Sequence, residues 1–269
     1  MKSNIYTHEL RMKSRSILTW SIAIFALMFF FLSIYPSFAE EAELANQLMS
    51  KMPEELKQAF GLSNTDMASL LGFYTLVMVF TQLCLAIQAG NFGFGLVSIE
   101  ESELTADFLL TKPVSRVQIL TSKLLAALTA IIITNLVTGA ASFLAITTFR
   151  SSHTYDAGTL TLMLVGLLIF QVFFLAVGLV ISLLVKRIHN VTPYSLGLAF
   201  SAYVLNAFSG VFGDVKLEYI TPFKHFDPNY IIEHNAFDTR LVLINIGISV
   251  AAIAISYWLY IRRDIHAVS

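Results

Sequence analysis

Residues 17–38, with the sequence ILTWSIAIFALMFFFLSIYPSF, contain no charged side chain, and the run from Ile22 to Leu32 is apolar without interruption. A helix rises about 1.5 Å per residue and the hydrocarbon of a bilayer is about 30 Å thick, so roughly 20 such residues cross it. A strand of a membrane barrel would alternate polar and apolar residues, which this run does not do. Because backbone groups in lipid must be hydrogen-bonded within the segment, the run predicts a membrane-spanning helix.

Five further segments have the same character, so the sequence predicts an all-α integral membrane protein with six transmembrane helices. The predicted spans are 17–38, 70–96, 119–147, 160–185, 193–212 and 241–261. The composition agrees, because 56% of the 269 residues are hydrophobic and only 13% are charged, whereas about a quarter are charged in soluble proteins. We therefore expect a single transmembrane domain over residues 1–269.

The charges between the predicted spans indicate the orientation of the chain. With the N-terminus inside, 11 of the 17 lysines and arginines are cytoplasmic, whereas 12 of the 18 acidic residues are outside. Basic residues are enriched on the cytoplasmic side of membrane proteins, so both termini are predicted to be cytoplasmic. The chain has no basic block of the kind that binds nucleic acid.

Three segments outside the predicted spans have their own patterns. In residues 1–16, apolar and basic side chains are interleaved as in a short interfacial helix on the inner membrane surface, although a disordered basic tail fits equally well. The loop 39–69 is expected outside, as a polar helix that breaks before Pro53. The loop 213–240 is also expected outside, where its aromatic residues suit re-entrant or interfacial helices.

The cytoplasmic segment 98–117 is the most informative. Acidic residues crowd its first two turns, where they favour the helix dipole, and Lys112 lies at the end before Pro113 stops the helix. Leu104 and Phe108 stand four residues apart, which predicts an apolar stripe on one face. Either a partner covers this stripe or it packs against the ends of the spans.

The sequence lacks the patterns of ATP hydrolysis and of ion-driven transport. None of its 13 glycines precedes a lysine, so a phosphate-binding loop is absent. No charged residue lies deep in a predicted span, whereas ion-driven carriers usually keep such groups there. Asn135 and Gln171 lie near the middle of their spans and are candidates for lining a translocation path, although interhelical hydrogen bonds are the commoner role of buried amides.

No catalytic, metal or cofactor site is predicted for this chain. Its single cysteine, Cys84, allows no intrachain disulfide and no cysteine metal cluster. The histidines and acidic residues between 225 and 238 match no metal-ligand spacing, and a solvated loop explains them better. No serine or cysteine is visibly paired with a base for nucleophilic catalysis.

An ordered set of motifs surrounds segment 98–117. Paired acids at 100–101 are followed by two leucines at 109–110, by Pro-Val-Ser-Arg at 113–116, and by Lys123 at the start of the next span. In this combination the sequence resembles the type-2 ATP-binding-cassette (ABC) permease family over nearly its whole length. Leu104 departs from the pattern, because relatives commonly have glycine there.

The resemblance implies a type-2 permease fold in which segment 98–117 is a cytoplasmic coupling helix that docks on a separate ATPase. ATP and magnesium would then be bound by that ATPase and not by this chain. Two permeases, identical or paralogous, and two ATPases form the usual complex. The residues implied in docking are Glu100, Glu101, Leu104, Phe108, Leu109, Lys112, Pro113 and Arg116.

The function implied is that of a non-enzymatic permease subunit of an exporter, moving a drug, peptide or lipid-like substrate outward across the cell membrane of a prokaryote. The alternative is a non-transporting anchor or mechanical signalling module that acts on an outer partner through loops 39–69 and 213–240. A secondary carrier is disfavoured by the uncharged spans. The sequence does not reveal the substrate.

Overall fold

The computed structural model describes most of the chain outside the connecting loops. The described residues are 2–41, 47, 50–53, 56–57, 66–102, 114–185, 188–208 and 217–262, with backbone only at 2–4 and 99–102. These parts contain helices, turns and bends and no β-strand, which confirms the all-helical prediction for the described residues.

The fold is an assembly of long helices with short helices at one end. In chain order the helices are α1 (Lys2–Glu40), α2 (Leu70–Ser102), α3 (Arg116–Phe149), α4 (Ala157–Leu184), α5 (Val191–Phe208), α6 (Pro222–His225), α7 (Pro228–His234) and α8 (Thr239–Arg262). A 3-10 turn at Leu217–Tyr219 precedes α6. Among the described residues, α1, α2, α3, α4 and α8 are long and apolar enough to cross a membrane.

Helix α5 corresponds to the remaining predicted span, 193–212. It has 18 residues and is therefore about 27 Å long, close to the hydrocarbon thickness. Four polar side chains interrupt its apolar sequence; they are Thr192, Ser195, Ser201 and Asn206.

The first helix differs from the sequence-based expectation. We expected a short interfacial helix at 1–16 followed by a separate span, but Lys2–Glu40 is one helix of 39 residues, about 58 Å long. The reason is local, because no glycine or proline interrupts the chain before Pro36. The first turns pack on neighbouring helices, with the Tyr6 hydroxyl 3.0 Å from the Thr129 hydroxyl of α3.

Helix α2 lies at the centre of the assembly. It packs against α1, α4 and α5, while α1 also runs along α3 and α8 packs on α4. In the apolar stretch of α2, 72% of the residues are buried, against 22% in α1 and 28% in α8. The peripheral helices therefore keep large apolar side chains on the outside, as expected of helices that face lipid.

Glycines let α2 approach its neighbours closely. A Cβ atom on Gly93 would overlap the Leu175 carbonyl group of α4, and one on Gly90 would lie 2.9 Å from the Ser195 Cβ of α5. Gly90 and Gly93 therefore permit close contact of α2 with α5 and α4. Small residues serve this purpose in membrane helices, where van der Waals packing replaces the hydrophobic drive to associate.

Interhelical contacts define two ends of the assembly. Lys123 of α3 donates to the Leu96 carbonyl of α2 and lies beside Glu9 of α1, and Arg116 reaches the end of α8. We call this end the base and the opposite end the top. At the top, Phe223 and Phe226 from the short helices are buried and pack edge-on against Phe170 of α4.

The two long predicted loops contain the expected interruptions. In the loop 39–69, the Leu56 and Lys57 amides both donate to the Pro53 carbonyl at 3.1 Å, and residues 52–53 are not helical, which confirms the break at Pro53. The loop 213–240 forms α6 and α7. These helices pack into the top of the assembly against α2, α4, α5 and α8.

Candidate functional site

The segment predicted to dock on an ATPase joins two long helices at the base. Helix α2 continues to Ser102, so Glu100 and Glu101 lie in its last turns, and α3 begins at Arg116 with Ser115 as its N-cap. The remaining docking residues lie outside the described part of the chain; they are Leu104, Phe108, Leu109, Lys112 and Pro113. The docking assignment stays a prediction, but its two attachment points are both helical.

Arg116 contacts the last helix within the chain. Its guanidinium group donates to the Ile261 carbonyl at 3.1 Å and to the Tyr260 carbonyl at 3.4 Å. These carbonyls belong to the C-terminus of α8, where unpaired acceptors and the helix dipole favour a cation. Arg116 therefore holds α3 and α8 together just after the predicted docking segment.

A cluster of charged side chains lies around Lys123, about two helical turns after Arg116 on α3. The Glu9 carboxylate is 3.6 Å from the ammonium groups of both Lys13 and Lys123. Lys123 is 3% exposed and also donates to the Leu96 carbonyl at 2.6 Å. The Lys13 ammonium group lies 5.4 Å from the centre of the Phe92 ring. The cluster thus joins α1, α2 and α3 at the base.

Charges in such a position are costly unless they are paired. Removing an ammonium group from water costs several kcal/mol, and a neighbouring carboxylate with further hydrogen bonds offsets that cost. Lysine suits this site because its long apolar stem packs among the helices while its head reaches an acceptor. Glu9 is the described carboxylate that both lysines share.

The two amides singled out from the sequence are direct partners. The Asn135 amide of α3 donates to the Gln171 side-chain oxygen of α4 and to the Ile131 carbonyl of its own helix. Gln171 in turn donates to the Gln88 side-chain oxygen of α2 at 3.2 Å. Gln88 completes the chain by donating to the Thr134 hydroxyl of α3 at 3.0 Å.

This amide chain is enclosed by the protein. Gln171, Gln88 and Thr134 are completely buried, and Asn135 is partly exposed with a side-chain oxygen that has no hydrogen-bond partner among the described residues. Gln171 therefore joins helices and lines no open surface of a single copy of the chain. A role in a translocation path stays a prediction for both amides.

The top of the assembly holds a second set of buried polar contacts. His225 is buried beside the Asn245 amide at 3.3 Å, and the Gln82 amide donates to the Phe226 carbonyl at 2.9 Å. Burial lowers the pKa of His225, so its imidazole is neutral at pH 7. We expected a solvated loop here, but α6 inserts its apolar side chains between α4 and α8 and takes His225 with them. The described residues contain no group of three His, Cys, Asp or Glu side chains that could hold a metal ion.

Sequence reasoning missed the charge cluster at the base. Glu9 and Lys123 are 114 residues apart, so no local spacing connects them. The available signal was Lys123 itself, a charged residue inside a predicted span, which requires a partner in the structure. The amides were found because polar residues stand out against uninterrupted apolar sequence.

The fold and its buried polar groups define a class: a polytopic helical membrane protein with neutral amides at mid-membrane and charges at one end. A sequence model described as "ABC-2 family transporter protein" matches residues 3–265. The chain therefore belongs to this family and is a membrane-embedded permease subunit of an ABC transporter, a type of complex that includes an ATPase subunit. No curated protein matches the chain.

Proposed function

We propose that this permease moves a drug, peptide or lipid-like substrate outward across a cell membrane, driven by ATP that a separate subunit hydrolyses. Family membership carries this proposal, because it makes the chain the membrane part of an ABC transporter. The interior is consistent with an energy source outside the membrane. Helix α4 and the stretch Leu70–Ser98 of α2 contain no charged residue, whereas carriers driven by ion gradients usually keep ionisable groups at that depth.

The proposed topology is six spans with both termini in the cytoplasm. Glu9 of α1 and Ile261 of α8 both contact residues in the first turns of α3, so the start of α1 and the end of α8 lie at the base. Helices that begin and end on one side of a membrane cross it an even number of times. Five of the described helices meet the length and hydropathy required of a span, and α5 is the proposed sixth crossing.

The topology is tested with single cysteines at Ser3 and Ser269 in a chain carrying Cys84→Ala. We expect a membrane-impermeant maleimide to label neither cysteine in intact cells and both after permeabilisation. Labelling of one cysteine in intact cells would mean an odd number of crossings and would remove α5 as a span.

The base provides a route for force from an ATPase to the helices. Segment 98–117 is proposed to dock on the ATPase through its acidic and apolar residues, with α2 and α3 as levers on either side. Lys123 ties both levers to each other, and Arg116 ties α3 to α8. Movement of the docked segment would therefore displace several helices together, as alternating access requires. Two permeases and two ATPases are the proposed assembly, with the path between the permeases.

Docking is tested by placing one negative charge on either face of the segment. Phe108→Asp is expected to abolish copurification of the partner ATPase, because it charges the apolar stripe. Ala106→Asp adds the same charge about 160° away on a helix and is expected to leave copurification intact. Equal copurification with both variants would contradict the docking assignment.

Transport is tested with permease and ATPase in sealed vesicles. ATP-dependent accumulation of an amphipathic dye, absent from Phe108→Asp vesicles, would support an exporter. The mechanical alternative predicts ATPase activity without movement of any drug, peptide or lipid probe, together with tight binding of an outer protein. Uptake driven by an ion gradient without ATP would contradict both.

A further inference from the structure

An apolar groove runs along the outside of α1 and α3 near the base. It has a volume of about 600 Å³, and its lining includes Leu10, Ser14, Ser21, Ile22 and Phe25 of α1 and Val137 of α3. The α1 side extends from Leu10 to Phe25, or about 22 Å. The groove begins beside the basic first turns of α1 and continues into the predicted span, so it crosses the boundary between lipid headgroups and hydrocarbon.

Ser21 indicates that the groove holds a ligand with a hydrogen-bond acceptor. Hydroxyl groups in membrane helices usually donate to a carbonyl of the preceding turn, as Ser14 does to Arg11 and Thr19 does to Arg15. Ser21 is 8% exposed and belongs to the groove lining, and its buried hydroxyl oxygen has no hydrogen-bond partner among the described residues. Leaving a buried hydroxyl without a partner is costly, and rotation of the Ser21 side chain toward an acceptor in the groove would remove this cost.

Two arginines beside the groove indicate that the ligand is anionic. Arg11 and Arg15 are exposed, and neither forms an ion pair with a described residue. At about 100° per residue, Arg11 lies on the same side of α1 as Ser14 and Ser21. The neighbouring charges do not cancel them, because Glu9 and Lys13 face the cluster with Lys123 instead.

The width of the groove distinguishes a lipid chain from a protein helix. Its volume of about 600 Å³ extends over about 22 Å, so the space is long and narrow. A helix with its side chains is at least 10 Å across and would lie over the open side of such a groove. A single hydrocarbon chain can lie within the groove along its length.

We propose that this groove is a binding site for one anionic phospholipid from the leaflet at the base. Its phosphate lies beside Arg11 and Arg15, an ester oxygen accepts from Ser21, and an acyl chain packs against Ile22, Phe25 and Val137. A lipid held there fills the space between α1 and α3. The contact between Glu9 and Lys123 joins the same two helices next to the base end of the groove. The site does not depend on the direction of transport or on the docking of an ATPase.

The test uses the full-length chain in neutral detergent and native mass spectrometry, with phosphatidylglycerol or phosphatidylcholine as the added lipid. We expect one phosphatidylglycerol to bind more tightly than any phosphatidylcholine. The double variant Arg11→Gln, Arg15→Gln should weaken phosphatidylglycerol binding about thirtyfold, because each arginine near an anionic surface contributes about 1 kcal/mol. Ile22→Trp, which fills the groove, should weaken binding of both lipids.

Val250→Trp is the matched control, because Val250 is 61% exposed on α8, away from the groove. Thermal unfolding in the same detergent checks that each variant is folded. Equal binding of the two lipids by the wild-type chain, or unchanged binding by Ile22→Trp, would overturn the proposal. So would equal losses with Ile22→Trp and Val250→Trp, which would mean nonspecific lipid at the protein surface. Loss of a permease dimer in Ile22→Trp, with phosphatidylglycerol binding unchanged, would assign the groove to a second copy instead.

Discussion

The amide chain in the middle of the assembly and the charge cluster at its base join the same helices by different chemistry. In the middle, Gln88, Gln171 and Asn135 connect α2, α4 and α3 through neutral hydrogen bonds. At the base, Glu9 and Lys123 connect α1 and α3 through charges. The side chains of both sets are largely buried. The two sets therefore differ in their depth in the membrane and not in the exposed fraction of their side chains.

Depth determines which groups a membrane helix can carry. A charge at the centre of a bilayer is far more costly than one near the interface, where long side chains reach headgroups or water. Neutral amides hold helices together at the centre with bonds that average about 0.6 kcal/mol, which leaves the helices able to shift. The charge pair at the base is stronger and keeps the attachment points of segment 98–117 together. We therefore expect the helices to be held more firmly at the base than at mid-membrane.

The charge cluster gives the largest expected effect. Glu9→Gln leaves Lys13 buried without its described carboxylate partner and should lower the free energy of unfolding by about 3 kcal/mol. Glu233→Gln, at an exposed glutamate of α7, should change it by less than about 0.5 kcal/mol. Unfolding by titration with a denaturing detergent measures both, and equal changes would mean that the cluster does not stabilise the fold.

A double variant distinguishes pairing from simple packing. If Glu9 acts through charge, Glu9→Gln combined with Lys123→Met should cost less than the sum of the two single substitutions. Additive costs would show that the two side chains act independently. ATPase stimulation measured on the same variants reports whether the cluster also transmits force.

The amide chain gives a smaller expected effect. Gln171→Leu removes its bonds to Asn135 and Gln88 and should cost about 1 kcal/mol, because even the strongest measured bonds of this kind reach only about 1.7 kcal/mol. Asn135→Leu should cost less, and the double variant should cost little more than Gln171→Leu alone. A loss above about 3 kcal/mol for Gln171→Leu would remove the contrast between the centre and the base.

Arg116, a single charge beside the C-terminal end of α8, allows a further test of the contacts at the base. Arg116→Gln should cost about 0.5–1 kcal/mol, the usual contribution of a cation at a helix C-terminus. Hydrogen exchange should rise in the last turn of α8, near Tyr260 and Ile261, and stay unchanged near its start at Thr239. Arg116→Lys keeps the charge and should retain part of the protection. Uniform exchange along α8 in Arg116→Gln would contradict the contact.

The sequence predicted what depends on local composition. Apolar runs predicted the long helices, Pro53 marked a break, and Asn135 and Gln171 stood out as polar residues in apolar segments. It did not predict that 1–16 continues into the first span, because the pattern of an interfacial helix also fits a helix packed on α3. The sequence placed His225 in solvent. Burial of α6 depends on the aromatic contact between Phe223 and Phe170, which lies 53 residues earlier in the chain. Tertiary contacts of this kind leave no local period.

The smallest expected effect concerns a charge outside the membrane-spanning segments. Asp156 is the N-cap of α4, and its carboxylate accepts from the Thr159 hydroxyl at 2.6 Å and from the Thr159 and Gly158 amides. These hydrogen bonds, with Thr159 first, lower the pKa of Asp156 below its usual value. The folded state therefore binds the proton less readily than the unfolded state does, so this carboxylate stabilises the fold above its ordinary pKa. That stability is lost as the pH falls through the lowered value.

Asp156→Asn keeps a side-chain oxygen as the cap but removes its titration. The difference in unfolding free energy between wild type and Asp156→Asn should be constant at neutral pH and should shift against the wild type as the carboxylate becomes protonated. Because Asp156 is exposed, the change should be small beside that of Glu9→Gln, whose carboxylate is partly buried and paired with two buried lysines. Unfolding in detergent between about pH 3 and 7 measures it. A difference in unfolding free energy that does not vary with pH would mean that Asp156 caps α4 without the help of its charge.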